Sequence, residues 1–293
     1  MVVQLQSGER LHYLHWPEAH TTAHPVLLVH TLTRTAWAWL PVGRRLAAAG
    51  FEVIAPDLRG HGASDAPLSG YELESLALDV LTVAAGAGWG EAAEGPPLIV
   101  AGHGLGAMVA VEMARVQPAS VAGLVLLDSG WEELAEATRM LPDQLVEAMA
   151  EPPEVMASME TYLADRRDFD PTTWDDDQER AARAQVSERH AGHVGLVTKG
   201  SVVRRCVAAM YTYRPLEVLA AVACPVSVLV AGAATADDED ERERRLALDD
   251  VIRARAAAGL PPTEVQVLDG AGHDLARHRP EAVARALAHM ARS

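Results

Sequence analysis

The sequence predicts an α/β fold, with a mostly parallel central sheet flanked by helices and an inserted helical lid. Two observations point to it. Short apolar runs alternate with runs of helical spacing from Val2 to Leu127, and again from Pro225 to the C-terminus. Between them, Gly130 to about Leu219 reads as helices broken by turns such as Glu151-Pro-Pro153 and Asp170-Pro-Thr-Thr173. Strands that alternate with helices need crossover connections, which make neighbouring strands parallel. A helical insertion between two such strands has the pattern of a lid. The core domain is therefore expected over 1–129 and 220–293, and the lid over 130–219.

Each element has its own signal. Val2 to Leu5 and Arg10 to His15 alternate around Ser7-Gly8-Glu9, as in an antiparallel hairpin. Pro25-Val-Leu-Leu-Val-His30 is apolar enough for a buried parallel strand. Trp37 to Ala49 has helical spacing and closes at Gly50. Phe51 to Pro56 is a strand that opens into the polar loop Asp57-Leu-Arg-Gly-His-Gly-Ala-Ser-Asp65, and Tyr71 to Ala87 is a helix. The stretch from Leu98 to Ala114 is a strand, the turn Gly102-His-Gly-Leu-Gly106, and a helix running to about Gln117. Val121 to Leu127 is a strand ending at Asp128. After the lid come a strand at Pro225 to Ala231, an exposed charged run at Ala236 to Glu243, and a helix at Arg244 to Ala258. A last strand at Glu264 to Leu268, the turn Gly270-Ala-Gly-His-Asp274, and a helix from Pro280 to Arg292 close the chain.

Composition narrows the partners. The chain has 293 residues, is 49% hydrophobic, and can bury a sizeable core. No stretch of about 18 uncharged apolar residues occurs, so no membrane span is expected. The N-terminus lacks a basic segment followed by an apolar one, so no export signal is expected. Two cysteines, Cys206 and Cys224, read as free buried thiols of a reducing, cytoplasmic compartment. A net charge of −16 repels nucleic acid and anionic membrane, leaving a small-molecule substrate as the expected partner. Homo-oligomerisation stays open. Few aromatics with plentiful Ala, Arg and Asp suggest a bacterial source. No His/Cys/Asp/Glu set has metal-ligand spacing, and neither metal nor organic cofactor is expected.

The glycine turn supports two readings. Gly102-x-Gly104-x-x-Ala107 satisfies a dinucleotide fingerprint, and Asp128 stands where a ribose contact would be needed. Against this, such a fingerprint usually marks the first strand–helix–strand unit. Here two strands and a loop with its own signature precede it. The alternative is a nucleophile elbow of the G-x-S-x-G type, with glycine at the serine position, Gly104.

Four segments, in order, resemble the α/β-hydrolase superfamily over essentially the whole chain. His30 ends the strand before the oxyanion loop. Asp57-Leu-Arg-Gly-His-Gly-Ala-Ser64 resembles the family's D-x-R-G-x-G-x-S loop. Gly102-His-Gly-Leu-Gly106 takes the elbow position, and Gly270-Ala-Gly-His273 resembles the loop of the catalytic histidine. The resemblance implies an esterase- or lactonase-like site with His273 as base. It gives the N–H groups of Leu105 and Leu32 as oxyanion donors, although Thr31 stands where the family usually has glycine. Thr31 could instead present its hydroxyl to the pocket. His103 flanks the elbow, as histidine often does in this family, and reads as structural. The acid that orients His273 is either Asp237 or Asp238, after the strand that follows the lid, or Asp128. Trp37, Trp39, Trp131 and the lid methionines are candidates to line an apolar pocket, against ordinary core packing.

Glycine at position 104 removes the attacking atom. Three accounts follow: engineered removal of a serine, natural chemistry with His273 as general base and no serine intermediate, or a non-catalytic binding protein with the same fold. Esterase activity created by Gly104→Ser and absent from the parent would mark a serine that was lost or removed.

Overall fold

The computed structural model describes residues 1–17, 23–232 and 239–293. Eight strands form one sheet: β1 (Val2–Gln4), β2 (Arg10–Trp16), β3 (Val26–Val29), β4 (Val53–Pro56), β5 (Leu98–His103), β6 (Val121–Leu127), β9 (Val226–Gly232) and β10 (Thr263–Asp269). A separate hairpin of β7 (Val186–Glu188) and β8 (Val194–Leu196) lies within the insertion. The sheet order is β1-β2-β4-β3-β5-β6-β9-β10. β1 and β2 pair antiparallel, β2 pairs antiparallel with β4, and all other pairs are parallel. The fold is that of an α/β protein with a mostly parallel central sheet, as the alternating pattern predicts.

Helices cover both faces. On one side are α2 (Leu73–Gly86) and α3 (Leu105–Val116), packed on the alternate residues Leu27, Val29, Val100, Leu124 and Leu126. On the other are α1 (Leu40–Ala48), α11 (Leu275–His278) and α12 (Pro280–Arg292), packed on Val26, Leu28, Ile99, Ala101 and Val125. Strands β3, β5 and β6 are buried on both faces, which is why they read as unbroken apolar runs rather than alternating ones.

The insertion carries α4 (Leu134–Thr138), α5 (Pro142–Ala148), α6 (Met159–Phe169), α7 (Asp176–Gln185), α8 (Gly200–Met210) and α9 (Pro215–Leu219). It divides into two parts. Tyr162, Leu163, Ala182, Val186 and Val194 form a small cluster of their own. By contrast, Val202, Cys206 and Val207 of α8 and Leu219 of α9 join the main core beside α2 and α3. Both Cys206 and Cys224 are free thiols.

Three elements depart from the sequence reading. The hairpin β7–β8 interrupts the expected all-helical stretch; its strands have three residues each, too short for a period-2 signal to stand out. The helix expected from Trp37 begins as a 3-10 turn at Ala36–Trp39, and α1 follows with Pro41 in its first turn. Helix α10 (Glu239–Ala257) starts earlier than Arg244, because Glu239, Asp240 and Glu241 sit in its first turn, where the helix dipole favours negative charge.

The loop Asp57 to Ser64 holds its own turn and its neighbours. Asp57 accepts hydrogen bonds from the N–H groups of Ala36 (2.7 Å) and Ala63 (3.0 Å) and pairs with His12 Nδ1 at 2.8 Å. Arg59 reaches Asp79 of α2 in a buried pair at 2.6 Å, and Ser64 donates to the Asp57 carbonyl.

Candidate active site

Strands β3, β5 and β6 are adjacent, so Thr31, Gly104 and Asp128 meet at one edge of the sheet. That edge is the carboxyl end, at the point where strand order reverses between β3 and β5, the usual place for a ligand in this architecture. His273 arrives from the turn after β10.

Gly104 sits at φ 55°, ψ −122°, a conformation that glycine adopts freely and that an L side chain would hold under strain. The turn is tight. A Cβ at Gly106 would lie 2.2 Å from the Val29 carbonyl oxygen, so the residue must be glycine for β5, α3 and β3 to approach. This is the geometry of a nucleophile elbow. Leu105 begins α3 at its first position, where the N–H has no intrahelical partner. Among the described residues, neither the Leu105 N–H nor the Leu32 N–H makes a hydrogen bond. Gly104 N–H donates to Ser129 Oγ at 2.7 Å, and Ser129 Oγ donates to the Leu127 carbonyl.

Asp128, not a residue of the later loop, meets the histidine: His273 Nδ1 lies 2.6 Å from Asp128 Oδ2. Asp237 and Asp238 lie outside the described residues. Asp128 is buried, at φ 45°, a strained position for a non-glycine residue that keeps its carboxylate aimed at His273. Its Oδ1 also accepts the Ala231 N–H at 2.9 Å and lies 3.2 Å from Arg244. Burial pushes the carboxyl up. The His273 hydrogen bond, the Arg244 charge and the Ala231 N–H outweigh that and hold it below the usual carboxylate range. An ionised Asp128 makes His273 Nδ1 the donor and leaves Nε2 as the basic nitrogen. Nε2 rests 3.1 Å from His103 Nε2. Burial, then the neighbouring His273, lowers His103 to about 4, so it is neutral and donates its Nε2–H to His273.

Thr31 lines the cavity, as the sequence allowed, and its placement against Gly104 comes from the fold. A Cβ built on Gly104 would lie 2.0 Å from Thr31 Oγ1 and 2.9 Å from Thr31 Cβ. The threonine hydroxyl thus stands where the side chain of an elbow serine would stand. A side chain added at position 104 would therefore meet Thr31.

Thr31, Leu32, Gly104, Asp128 and His273 line one cavity of about 580 Å³. The lining is mixed: Met108, Leu134, Leu145, Met149 and Met210 are apolar, and Glu132, Asp240, Glu241 and Arg244 are charged. The largely apolar pocket expected from the sequence is therefore half right. Arg244 links Asp128 to Glu132, 2.8 Å from the latter, and stood in the sequence only as the first residue of a helix, with no motif to mark it. Three residues singled out around the site from the sequence, His30, Trp131 and His103, do not line this cavity. His30 is fully buried, bonds the Thr31 carbonyl and accepts the Leu58 N–H, so it braces the loop from behind. Trp131 is buried beneath Arg244 and lines a different cavity. His103 faces His273 rather than the cavity. Asp128, committed to His273 and Ala231, is not free for a ribose, which removes the main support for the dinucleotide reading.

The sequence profile described as "Alpha/beta hydrolase family" matches residues 26–286. The chain belongs to this family. As a family member it is similar to a protein of Variovorax paradoxus (strain S110) named as a candidate carbamate hydrolase, with 36% identity over 138 residues, 46% of this chain and 48% of that one. It is also similar to the 2-(acetamidomethylene)succinate hydrolase of Mesorhizobium japonicum (strain LMG 29417 / CECT 9101 / MAFF 303099), with 33% identity over 141 residues, 48% of each chain. The chain spans about half the length of these curated relatives. Among solved structures, E-2-(acetamidomethylene)succinate hydrolase superposes with a TM-score of 0.77 over 99% of this chain and 98% of that one, at 21% identity. A thioesterase domain from the curacin biosynthetic pathway gives 0.70 over 98% of each chain, also at 21%. These α/β hydrolases share the fold with the present chain. Among the described residues no helix is long and apolar enough to cross a membrane, and no group of three or more His, Cys, Asp and Glu could hold a metal ion.

Proposed function

We propose that this α/β-hydrolase-family protein is a hydrolase of small neutral acyl compounds, such as esters and lactones. The observation that carries the reading is the His273–Asp128 pair, at 2.6 Å, opening into the same cavity as the elbow. His273 Nε2 takes the proton of the attacking hydroxyl, and ionised Asp128 stabilises the imidazolium that forms. The unbonded N–H groups of Leu32 and Leu105 hold the negative charge that develops on the carbonyl oxygen. Met149 and Met210 of the insertion cover the apolar part of the substrate, so the insertion acts as a lid.

Gly104 belongs to the native design in this reading. An engineered serine-to-glycine change would leave an empty space above the turn, whereas Thr31 fills it. The acidic lining residues Glu132, Asp240 and Glu241, only partly offset by Arg244, disfavour anions. A dicarboxylate such as the one in the name of the Mesorhizobium relative is therefore a poor fit.

The test is a panel of neutral esters and lactones, matched with anionic analogues, scored by product release. Release from neutral members, with the anionic analogues lagging, supports the reading. Thermal stabilisation by panel members without any product would instead make the protein a binding module of the same fold.

A further inference from the structure

We propose that Thr31 supplies the attacking hydroxyl: its Oγ1 forms the acyl intermediate that an elbow serine forms in serine hydrolases. The inference rests on the hydrolase reading above and names the atom that reading leaves unassigned.

Position is the first argument. Thr31 Oγ1 lies 2.0 Å from where a Cβ of residue 104 would be, so it occupies the space of an elbow side chain. Availability is the second. Three hydroxyl residues line the cavity: Thr31, Ser129 and Thr138. Ser129 Oγ donates to the Leu127 carbonyl and accepts the Gly104 N–H, and Thr138 Oγ1 donates to the Leu134 carbonyl. Among the described residues the Thr31 hydroxyl has no hydrogen bond and is free to react.

The donors for the oxyanion are the third argument. In the elbow design, one N–H follows the nucleophile and the other comes from the facing loop. With Thr31 as nucleophile the same pair serves with roles exchanged: Leu32 N–H follows the nucleophile and Leu105 N–H faces it. Nothing else in the turn has to change.

A base is the fourth. The His273 side chain is 63% exposed and is held by its Asp128 bond. Its Nε2 is held at rest by the His103 N–H and must exchange that partner for the Thr31 hydroxyl. The step balances. Thr31 Oγ1 bonds to the acyl carbon, and its proton passes to His273 Nε2. The bond to the leaving oxygen breaks, and His273 returns the proton to that oxygen. Water then attacks the acyl-threonine by the same route, giving the carboxylic acid and restoring the hydroxyl.

The experiment treats the full chain with p-nitrophenyl butyrate for turnover and with a p-nitrophenyl alkylphosphonate for covalent capture, followed by peptide mass mapping. Thr31→Val keeps the shape of the side chain without the oxygen, and Thr31→Ser keeps the oxygen. The expected result is one phosphonyl adduct on Thr31, retained in Thr31→Ser. In Thr31→Val it is lost and kcat falls on the order of 10³-fold, with thermal stability and KM little changed. An adduct on Ser129, or Thr31→Val turnover within about threefold of the parent and dependent on His273, overturns the nucleophile while leaving the hydrolase reading intact. No turnover and no adduct in the parent protein overturns both.

Discussion

Gly104 and Thr31 behave as one unit at the level of single residues. The glycine accepts a backbone conformation of φ 55°, ψ −122°, and the threonine side chain fills the volume that glycine leaves. Gly104→Ser puts a Cβ 2.0 Å from the Thr31 oxygen and adds backbone strain. It should destabilise the fold by about 1–3 kcal/mol in urea titrations. Pairing it with Thr31→Gly should recover the part due to the clash, and a single variant as stable as the parent would contradict this packing. The sequence made Gly104 legible as an elbow without its serine, because flanking glycines at fixed offsets are a local signal. It could not show Thr31 above it, because the two residues come from different strands and meet only through the order of the sheet. Asp128 was legible as one of two candidates for the same reason. Its φ of 45° and its bond to His273 are tertiary facts.

Elements decide how the insertion is held to the core. Arg277 and His278 of α11, a few residues after His273, clasp the segment between α6 and α7. Arg277 donates to Thr173 Oγ1 at 2.6 Å and to the Asp170 carbonyl at 2.9 Å, and His278 Nδ1 lies 3.4 Å from Asp170 Oδ2. Arg44 of α1 reaches Asp177 of α7 at 2.7 Å. These contacts tie the part of the insertion with its own small core to the helix that follows His273. Arg277→Ala should therefore loosen that part selectively. Limited proteolysis within residues 150–196 should speed up several-fold while the global unfolding free energy drops by about 1 kcal/mol or less. Equal cleavage rates would show that the clasp does not hold the segment. Most elements were legible because their hydrophobic period is strong. The short hairpin β7–β8 was not, since three-residue strands carry almost no periodicity.

At the scale of the whole molecule, the sheet buries a set of neutral histidines. Burial, together with mutual repulsion, lowers His61 to about 3, and burial lowers His30 as well; with His103 at about 4, all three stay uncharged in the folded state. Unfolding frees them to bind protons near pH 6.5. Between those limits the unfolded chain holds more protons, so stability falls as pH drops below about 6.5. For His103 the loss is on the order of 2 kcal/mol by pH 5. Asp128, held below the usual carboxylate range, remains ionised there and does not contribute to the loss. Urea unfolding at pH 7.5 and pH 5 measures the effect, and unchanged stability between the two would mean that these imidazoles are not buried neutral. The fold class was readable from alternation alone. Apart from His103, read as structural beside the elbow, the buried histidines were not, because nothing in a lone sequence tells a core imidazole from a surface one.

The account depends most on His273 acting as a base oriented by Asp128. The direct measurement is kcat/KM for the best neutral ester, compared between the parent protein and His273→Ala with thermal stability checked in both. A fall on the order of 10³-fold or more in a folded His273→Ala protein is the predicted result. Equal values in the two proteins would contradict the account.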